Sequence, residues 1–298
     1  MPRYTLTIAY DGTEFCGWQK QTPHEDSVPA ELTIAPAAEG EEVGMPPAIG
    51  EGAGDRPRVQ LRTVQEVVER AVRAVVREPV LVVGASRTDS GVHARGQVAA
   101  FTCSEGTERG VGWPLERGTE ALVKALNSRL PPDVEVLSAE AAAPEFDPIQ
   151  GAVRKAYSYT IWNGPQRPLW ERRTALHVWR WLRVEKMIEA ARIIEGEHDF
   201  AAFAAAGHGR LSTVRTVFSC GVRAEATERE DTRRIVIGVE GSGFLWNMVR
   251  IIAGTLVEVG KERISLEQVR EALASGKREL AGPTVPAQGL CLNWIRYE

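Results

Sequence analysis

The apolar residues of this chain alternate between a period of two and a period near 3.6, and the switches come in a fixed order. That order is strand, helix, strand, strand, helix, strand, and it occurs twice. In the first half a strand is expected near residues 3–10. Thr63 then opens T-x-x-E with Glu66, a capping box, and Val64, Val67, Val68, Ala71, Val72 and Val75 follow on one helical face. The apolar run Val80–Val83 reads as a buried strand and Gln97–Phe101 as the next. Residues 117–128 read as a helix stopped by Pro131-Pro132, and Val134–Ala139 alternates as a strand. In the second half strands are expected at Ala156–Trp162, 213–224, 233–240 and Leu290–Tyr297. Helices are expected at Val184–Glu195, 244–259 and 265–275, the last opened by the Ser265-x-x-Gln268 box.

Two β-α-β-β-α-β halves predict an α+β protein of two ferredoxin-like subdomains, residues 1–145 and 146–298, whose sheets join as one mainly antiparallel sheet. No sequence repeat accompanies the repeated order. A chain of 298 residues is long enough for two fused subdomains. It has no run of about 18 apolar residues, so no transmembrane helix is expected. Met1–Ile8 alternates like a strand and shows no signal-peptide core. Cys16, Cys103, Cys220 and Cys291 lie far apart with no C-x-x-C pair. Neither a disulfide framework nor a cysteine zinc site is expected, and a reduced, cytoplasmic setting follows.

The net charge of −4 argues against a polyanionic partner only until its distribution is seen. Residues 24–55 hold eight acids, four prolines and five glycines, with no lysine, arginine or aromatic residue. Such a segment buries too little apolar area to offset its ordering entropy, so a flexible acidic insertion is expected. Without its −8 the other 266 residues carry +4. The body of the chain is mildly basic.

Three segments carry chemistry-bearing residues. Gly84–Ala94 places Arg87, Asp89 and His93 between two expected buried strands, a usual position for reactive groups on a rigid scaffold. Thr88-Asp89-Ser90-Gly91 reads equally as a turn with an Asx hydrogen bond. The expected helix from Gly243 is apolar on almost every side yet carries Arg250 near its middle. A guanidinium there needs an anion, either a ligand phosphate or a carboxylate such as Asp89, which it would keep ionised. From Arg154 to Arg183 seven basic residues face one acid, Glu171, with Trp162, Trp170, Trp179 and Trp181 among them. Cations hold phosphates and aromatic faces stack unpaired bases, so this tract reads as RNA-facing. A solvated edge with core tryptophans is the other reading. The five histidines lack metal-ligand spacing, Glu197-His198-Asp199 reads as a loop with a helix cap, and no glycine-rich nucleotide motif is present. No metal and no cofactor are expected.

At these residues the sequence closely resembles the tRNA pseudouridine synthase I family. The resemblance rests on Tyr10-Asp11-Gly12, Phe15–Gln21, Thr63-Val64-Gln65, Ser86–Ala94, Tyr157-Ser158-Tyr159, Gly196-x-His198-Asp199-Phe200, Phe244-Leu245-x-Asn247-Met248-Val249-Arg250 and Ala287–Leu290, in the family order and spanning nearly the whole chain. It implies the pseudouridine synthase fold and an isomerase, without cofactor, acting on uridines 38, 39 and 40 of the tRNA anticodon arm. It further implies a homodimer. By the resemblance Asp89 is the catalytic carboxylate and Tyr157 stacks on the flipped-out uracil. Arg250 pairs with Asp89, Arg87 enters the RNA stack to hold the nucleotide extruded, and Leu245 packs beside the base. The chain departs from the family in the acidic insertion and in Pro148–Ala152, where the family has a basic and an aromatic residue. The same chemistry on other uridines or RNAs, and a noncatalytic RNA-binding protein on this fold, are the alternatives.

Overall fold

The computed structural model describes residues 1–23, 28, 59–106, 110–205 and 212–298. The expected acidic insertion, Val28 apart, lies outside the described residues. The chain divides into two compact units, Met1–Gly151 and Ala152–Glu298.

In the first unit the elements follow as β1 (Arg3–Tyr10), α1 (Val64–Val76), β2 (Val83–Gly84), β3 (His93–Thr102), α2 (Thr119–Asn127) and β4 (Val134–Ala142). Strand β1 is central and antiparallel to both β3 and β4, with Leu6 opposite Ala99 on one side and Ala139 on the other. Its strict alternation buries Tyr4, Leu6, Ile8 and Tyr10 on a single face. Strand β2 pairs antiparallel with β3. It is shorter than the apolar run 80–83 predicts. Arg73 Nε takes the Val80 carbonyl and Gln65 the Val82 carbonyl, so those residues are held by side chains of α1 in place of a ladder.

Helix α1 starts where its capping residue predicts, with Thr63 Oγ1 accepting the Glu66 N–H. The reciprocal half of the box is replaced, because the Glu66 carboxylate turns to Arg70 one turn on. Val64, Val68, Ala71, Val72 and Val76 form the buried stripe, while Val67 and Val75 flank it half-exposed. The buried Glu69 carboxylate meets Lys20 Nζ at 2.6 Å, Arg73 at 2.7 Å and the Val82 N–H at 3.0 Å. These contacts compensate its desolvation and tie three separate segments together.

The second unit runs β5 (Ala152–Asn163), β6 (Leu176–Val178), α3 (Val184–Ile194), β7 (Gly196–Asp199), β8 (Val214–Ala226), β9 (Arg233–Gly241), α4 (Met248–Gly260), α5 (Leu266–Ser275) and β10 (Leu290–Tyr297). Its strand order is β10-β5-β9-β8-β7, all antiparallel, with β6 parallel to the end of β5. The architecture is therefore mixed helix and strand with mostly antiparallel pairing, and five α-helices lie among the described residues. Ser265 caps α5 through the Gln268 N–H as its box predicts.

Two expectations are corrected in this unit, and one strand, β6, was not expected. Residues 197–199 belong to the edge strand β7, although Asp199 also caps the next turn through the Ala201 N–H. The three-residue β6 is too short to show a period. Helix α4 begins at Met248 and not at 244, because Asn247 adopts the left-handed conformation at φ 60° and ψ 6°.

The 281–286 segment crosses α4 at close range. A Cβ on Gly254 would stand 1.9 Å from the Pro283 carbonyl oxygen, so only glycine permits that crossing. Thr255 Oγ1 locks it by accepting the Gly282 N–H at 2.8 Å while donating to the Ile251 carbonyl.

Candidate active site

Asp89 lies in the connection from β2 to β3, and the hydrogen bonds of that connection leave it little freedom. Gln97, fully buried on β3, accepts the Ser86 N–H at 3.2 Å and donates to the Ser86 carbonyl at 2.7 Å. Ala85 donates to the Val98 carbonyl at 2.8 Å. At Thr88, directly before Asp89, Tyr10 Oη and Thr88 Oγ1 share a buried hydrogen bond of 2.7 Å. The Trp18 N–H takes the Thr88 carbonyl, and the Phe15 carbonyl accepts both the Gly91 N–H and Ser90 Oγ. Gly17 runs alongside at φ +99°, and a Cβ there would stand 2.8 Å from the Thr88 oxygen.

The segment is also a turn, since Val92 donates to the Asp89 carbonyl at 3.1 Å. The turn expected over Thr88–Gly91 lies one residue on, over Asp89–Val92, and a backbone hydrogen bond closes it. Asp89 is half-buried and Arg87 exposed. His93 is buried, with Nδ1 accepting the Gly12 N–H at 3.0 Å and lying 3.1 Å from Asp11 Oδ1. It braces the connection from below.

The second unit positions Tyr157, Leu245 and Arg250. Tyr157 and Tyr159 share one face of β5, between Val239 and Ile237 of β9 and Leu292 and Leu290 of β10. The Tyr157 ring meets Phe244 edge-on, with centroids 5.3 Å apart and planes at 89°. Such a contact contributes about 0.5–1.5 kcal/mol beyond its buried area and fixes the ring plane. Tyr159 donates to the Pro286 carbonyl at 2.7 Å. Burial pushes its phenol pKa up, and the nearby positive charge of Arg250 opposes the shift only in part.

Between Phe244 and α4 the chain makes a tight approach. Leu245 is buried, its carbonyl accepts the Met248 N–H, and the Trp246 carbonyl accepts the Ala205 N–H at 3.1 Å. Because α4 starts late, Arg250 stands in its first turn and not near its middle, and it is half-buried. A cation at a helix N-terminus is opposed by the helix dipole. Two oxygens offset this within the unit: Arg250 Nε donates to the Val285 carbonyl and Nη1 to Asn247 Oδ1, both at 2.8 Å. The anion expected for Arg250 is therefore not its sole compensation.

The structure brings Arg87 and Asp89 together on one connection of the first unit. Tyr157, Leu245 and Arg250 form a second group around Phe244 and the 285–286 segment. Gln97, Asn247 and Val285 escaped the sequence reading. A glutamine in a strand has no pattern to mark it, and the role of Val285 is a backbone role. Of the tryptophans in the basic tract, Trp162 is buried, while Trp170, Trp179 and Trp181 are exposed. The core-tryptophan alternative holds only for the first.

Comparison with known proteins shows the family. A family model described as tRNA pseudouridine synthase matches residues 190–298. The chain is 39% identical over 293 residues to tRNA pseudouridine synthase A of Geobacter sulfurreducens, covering 98% of each protein. It is 38% identical over 299 residues to the Moorella thermoacetica protein of the same name and 35% identical over 297 residues to tRNA pseudouridine synthase A 2 of Clostridium perfringens, covering 100% of both chains in each case. With Asp89 on its braced connection, Tyr157 against Phe244 and relatives matched end to end, the chain belongs to the tRNA pseudouridine synthase family of isomerases.

Proposed function

We propose that this enzyme converts uridines 38, 39 and 40 of the tRNA anticodon arm to pseudouridine, with Asp89 as its catalytic carboxylate. The bond from C1′ to N1 of the uracil breaks, the base turns, and C1′ joins C5. The proton leaves C5 and N1 gains one, so atoms and electrons balance without an oxidant, a metal or a cofactor. A carboxylate is a competent nucleophile or base for such chemistry. The target nucleotide leaves the stack because C1′ and C5 are out of reach inside a stem. Arg87, exposed two residues before Asp89, takes the vacated place in the stack. Tyr157 stacks on the uracil, Leu245 packs beside it, and Arg250 is the ionic partner of Asp89, as the family resemblance implies.

The single observation carrying this reading is the bracing of the Asp89 connection by Gln97 at Ser86 and by Tyr10 at Thr88. A carboxylate that must meet one atom of a bound base needs such preorganisation. We also read the two units as ferredoxin-like subdomains. The orders β4-β1-β3 with β2 on β3, and β10-β5-β9-β8, support that reading. We infer a cytoplasmic homodimer, as the family resemblance implies.

The test is tritium release from tRNA transcripts labelled at uridine C5, with single uridines at 38, 39 or 40. Wild-type enzyme releases tritium from these positions. Asp89→Ala keeps its melting temperature and tRNA affinity and releases none. Turnover near wild type in that variant sinks the assignment of Asp89, and no release from any position by the wild type sinks the site assignment.

A further inference from the structure

The second unit contains a concavity of about 450 Å³ at the C-terminal end of α4, which shares the 285–286 segment with the Tyr157 group. That volume lies within the usual range for small-ligand sites, about 300–1,000 Å³. Its walls are β6 with the residues after it, the last turn of α4 and the 283–286 segment.

The rim residues are held firmly in position. Asn163, fully buried at the end of β5, donates to the carbonyls of both Val178 and Arg180 at 2.8 Å. Its Oδ1 accepts the Leu182 N–H and Arg233 Nε, both at 3.2 Å. One amide therefore fastens residues 178–182. Arg233 also stacks over Trp181 at 4.0 Å and donates to the Leu182 carbonyl. On this fastened segment Trp179 remains 74% exposed. Leaving an indole in water on a rigid, hydrogen-bonded segment forgoes the stability its burial would bring, and this marks surfaces that meet a partner.

The electrostatics of the concavity are one-sided. Arg180, Lys261 and Arg263 line it with a single acid, Glu258. Both Glu258 oxygens are already engaged, by Lys261 at 2.8 Å and by Arg263 at 3.3 Å. Two positive charges are left uncompensated within the lining. An indole face, a histidine edge from His177 and a surplus of cations are the chemistry that recognises an unpaired nucleotide.

We propose that this concavity is a second nucleotide site, which holds an unpaired nucleotide of the tRNA substrate away from the uridine being isomerised. The base stacks on Trp179, and Arg180 and Arg263 hold its phosphate. The back wall links this site to the chemistry. Val285 and Pro286 line it, and their carbonyls accept Arg250 Nε and the Tyr159 phenol. The proposal rests on tRNA being the substrate and not on which uridine is modified.

The test uses the full chain and unmodified tRNA. Trp179→Ala raises the tRNA Kd by about tenfold, the size expected for one lost base stack, and Arg180→Glu raises it and flattens its salt dependence by removing a phosphate contact. Their melting temperatures stay at the wild-type value, because both side chains are exposed. Ultraviolet crosslinking of the wild-type complex places a nucleotide on residues 174–183. Uridine monophosphate competes for this crosslink and inorganic phosphate does not. Unchanged Kd in both variants, crosslinks confined to other segments, or equal competition by phosphate would each overturn the proposal. Tritium release by the same wild-type preparation is scored separately, so a failure of the proposed reaction is told apart from a failure of this site.

Discussion

The Gln97 carboxamide and the Ser86 peptide form a closed pair, each donating one hydrogen bond to the other, at 2.7 and 3.2 Å, with Gln97 fully buried. The pair fastens the entry of the connection that carries Asp89, three residues ahead of it. Gln97 Oε1 also accepts the Val98 N–H at 3.2 Å, so the brace belongs to the ladder strand itself.

Gln97→Leu keeps the volume and removes the brace. Unpaired polar groups at Ser86 are then expected to cost about 1–3 kcal/mol of stability. Turnover falls further than tRNA affinity, because the connection that positions Asp89 loosens while the RNA-facing surface stays. Urea unfolding together with single-turnover tritium release checks both. Stability and turnover both at the wild-type level would refute the bracing role.

Arg250→Ala deletes two charge-assisted hydrogen bonds and strands the Val285 carbonyl under α4. Loss of turnover and a lower melting temperature are expected together, the destabilisation being about 1.5–3 kcal/mol. Calorimetry reads this directly. An unchanged melting temperature would mean that the 285–286 segment does not depend on the arginine.

Glu66 carries a pH signature. Burial raises its carboxyl pKa, Arg70 opposes the shift in part, and Oε2 has no hydrogen-bond partner. The folded protein therefore holds this proton more tightly than the unfolded chain does. The associated stability is full below the ordinary carboxylate pKa and is lost as pH rises through the raised one. Glu66→Gln removes that loss, so the variant gains on the wild type as pH rises above the ordinary carboxylate pKa. Urea midpoints as a function of pH test it, and parallel profiles for the two proteins would rule it out.

Deleting residues 24–55 removes eight acids and no base. Tighter tRNA binding and a steeper dependence on salt are expected, since the remaining residues carry +4. Filter binding from low to physiological salt measures both. Weaker binding on deletion would make the segment part of the grip.

The residues of the candidate site were legible in the sequence because they fall within short motifs. Arg87 and Asp89 share one short loop, and Phe244, Leu245 and Arg250 one heptad-length stretch. Strand and helix order was equally legible, since alternation in β1 and the stripe of α1 are local periodicities that burial enforces. Where the reading erred, the deciding force was not local. The start of α4 moved because Asn247 turned left-handed while its Oδ1 accepted Arg250, and β2 shrank because α1 side chains took the carbonyls of Val80 and Val82.

The sequence by itself determined the order of elements, the family and the residue types of the candidate site. All three follow from residue types at short spacing. Only the tertiary structure decided how those groups are held. Gln97 reaches Ser86 across eleven residues, Tyr10 reaches Thr88 across 78, and Val285 reaches Arg250 across 35. A hydrogen bond between residues so far apart leaves no period in the sequence, because it depends on where two separate elements pack and not on what either one prefers.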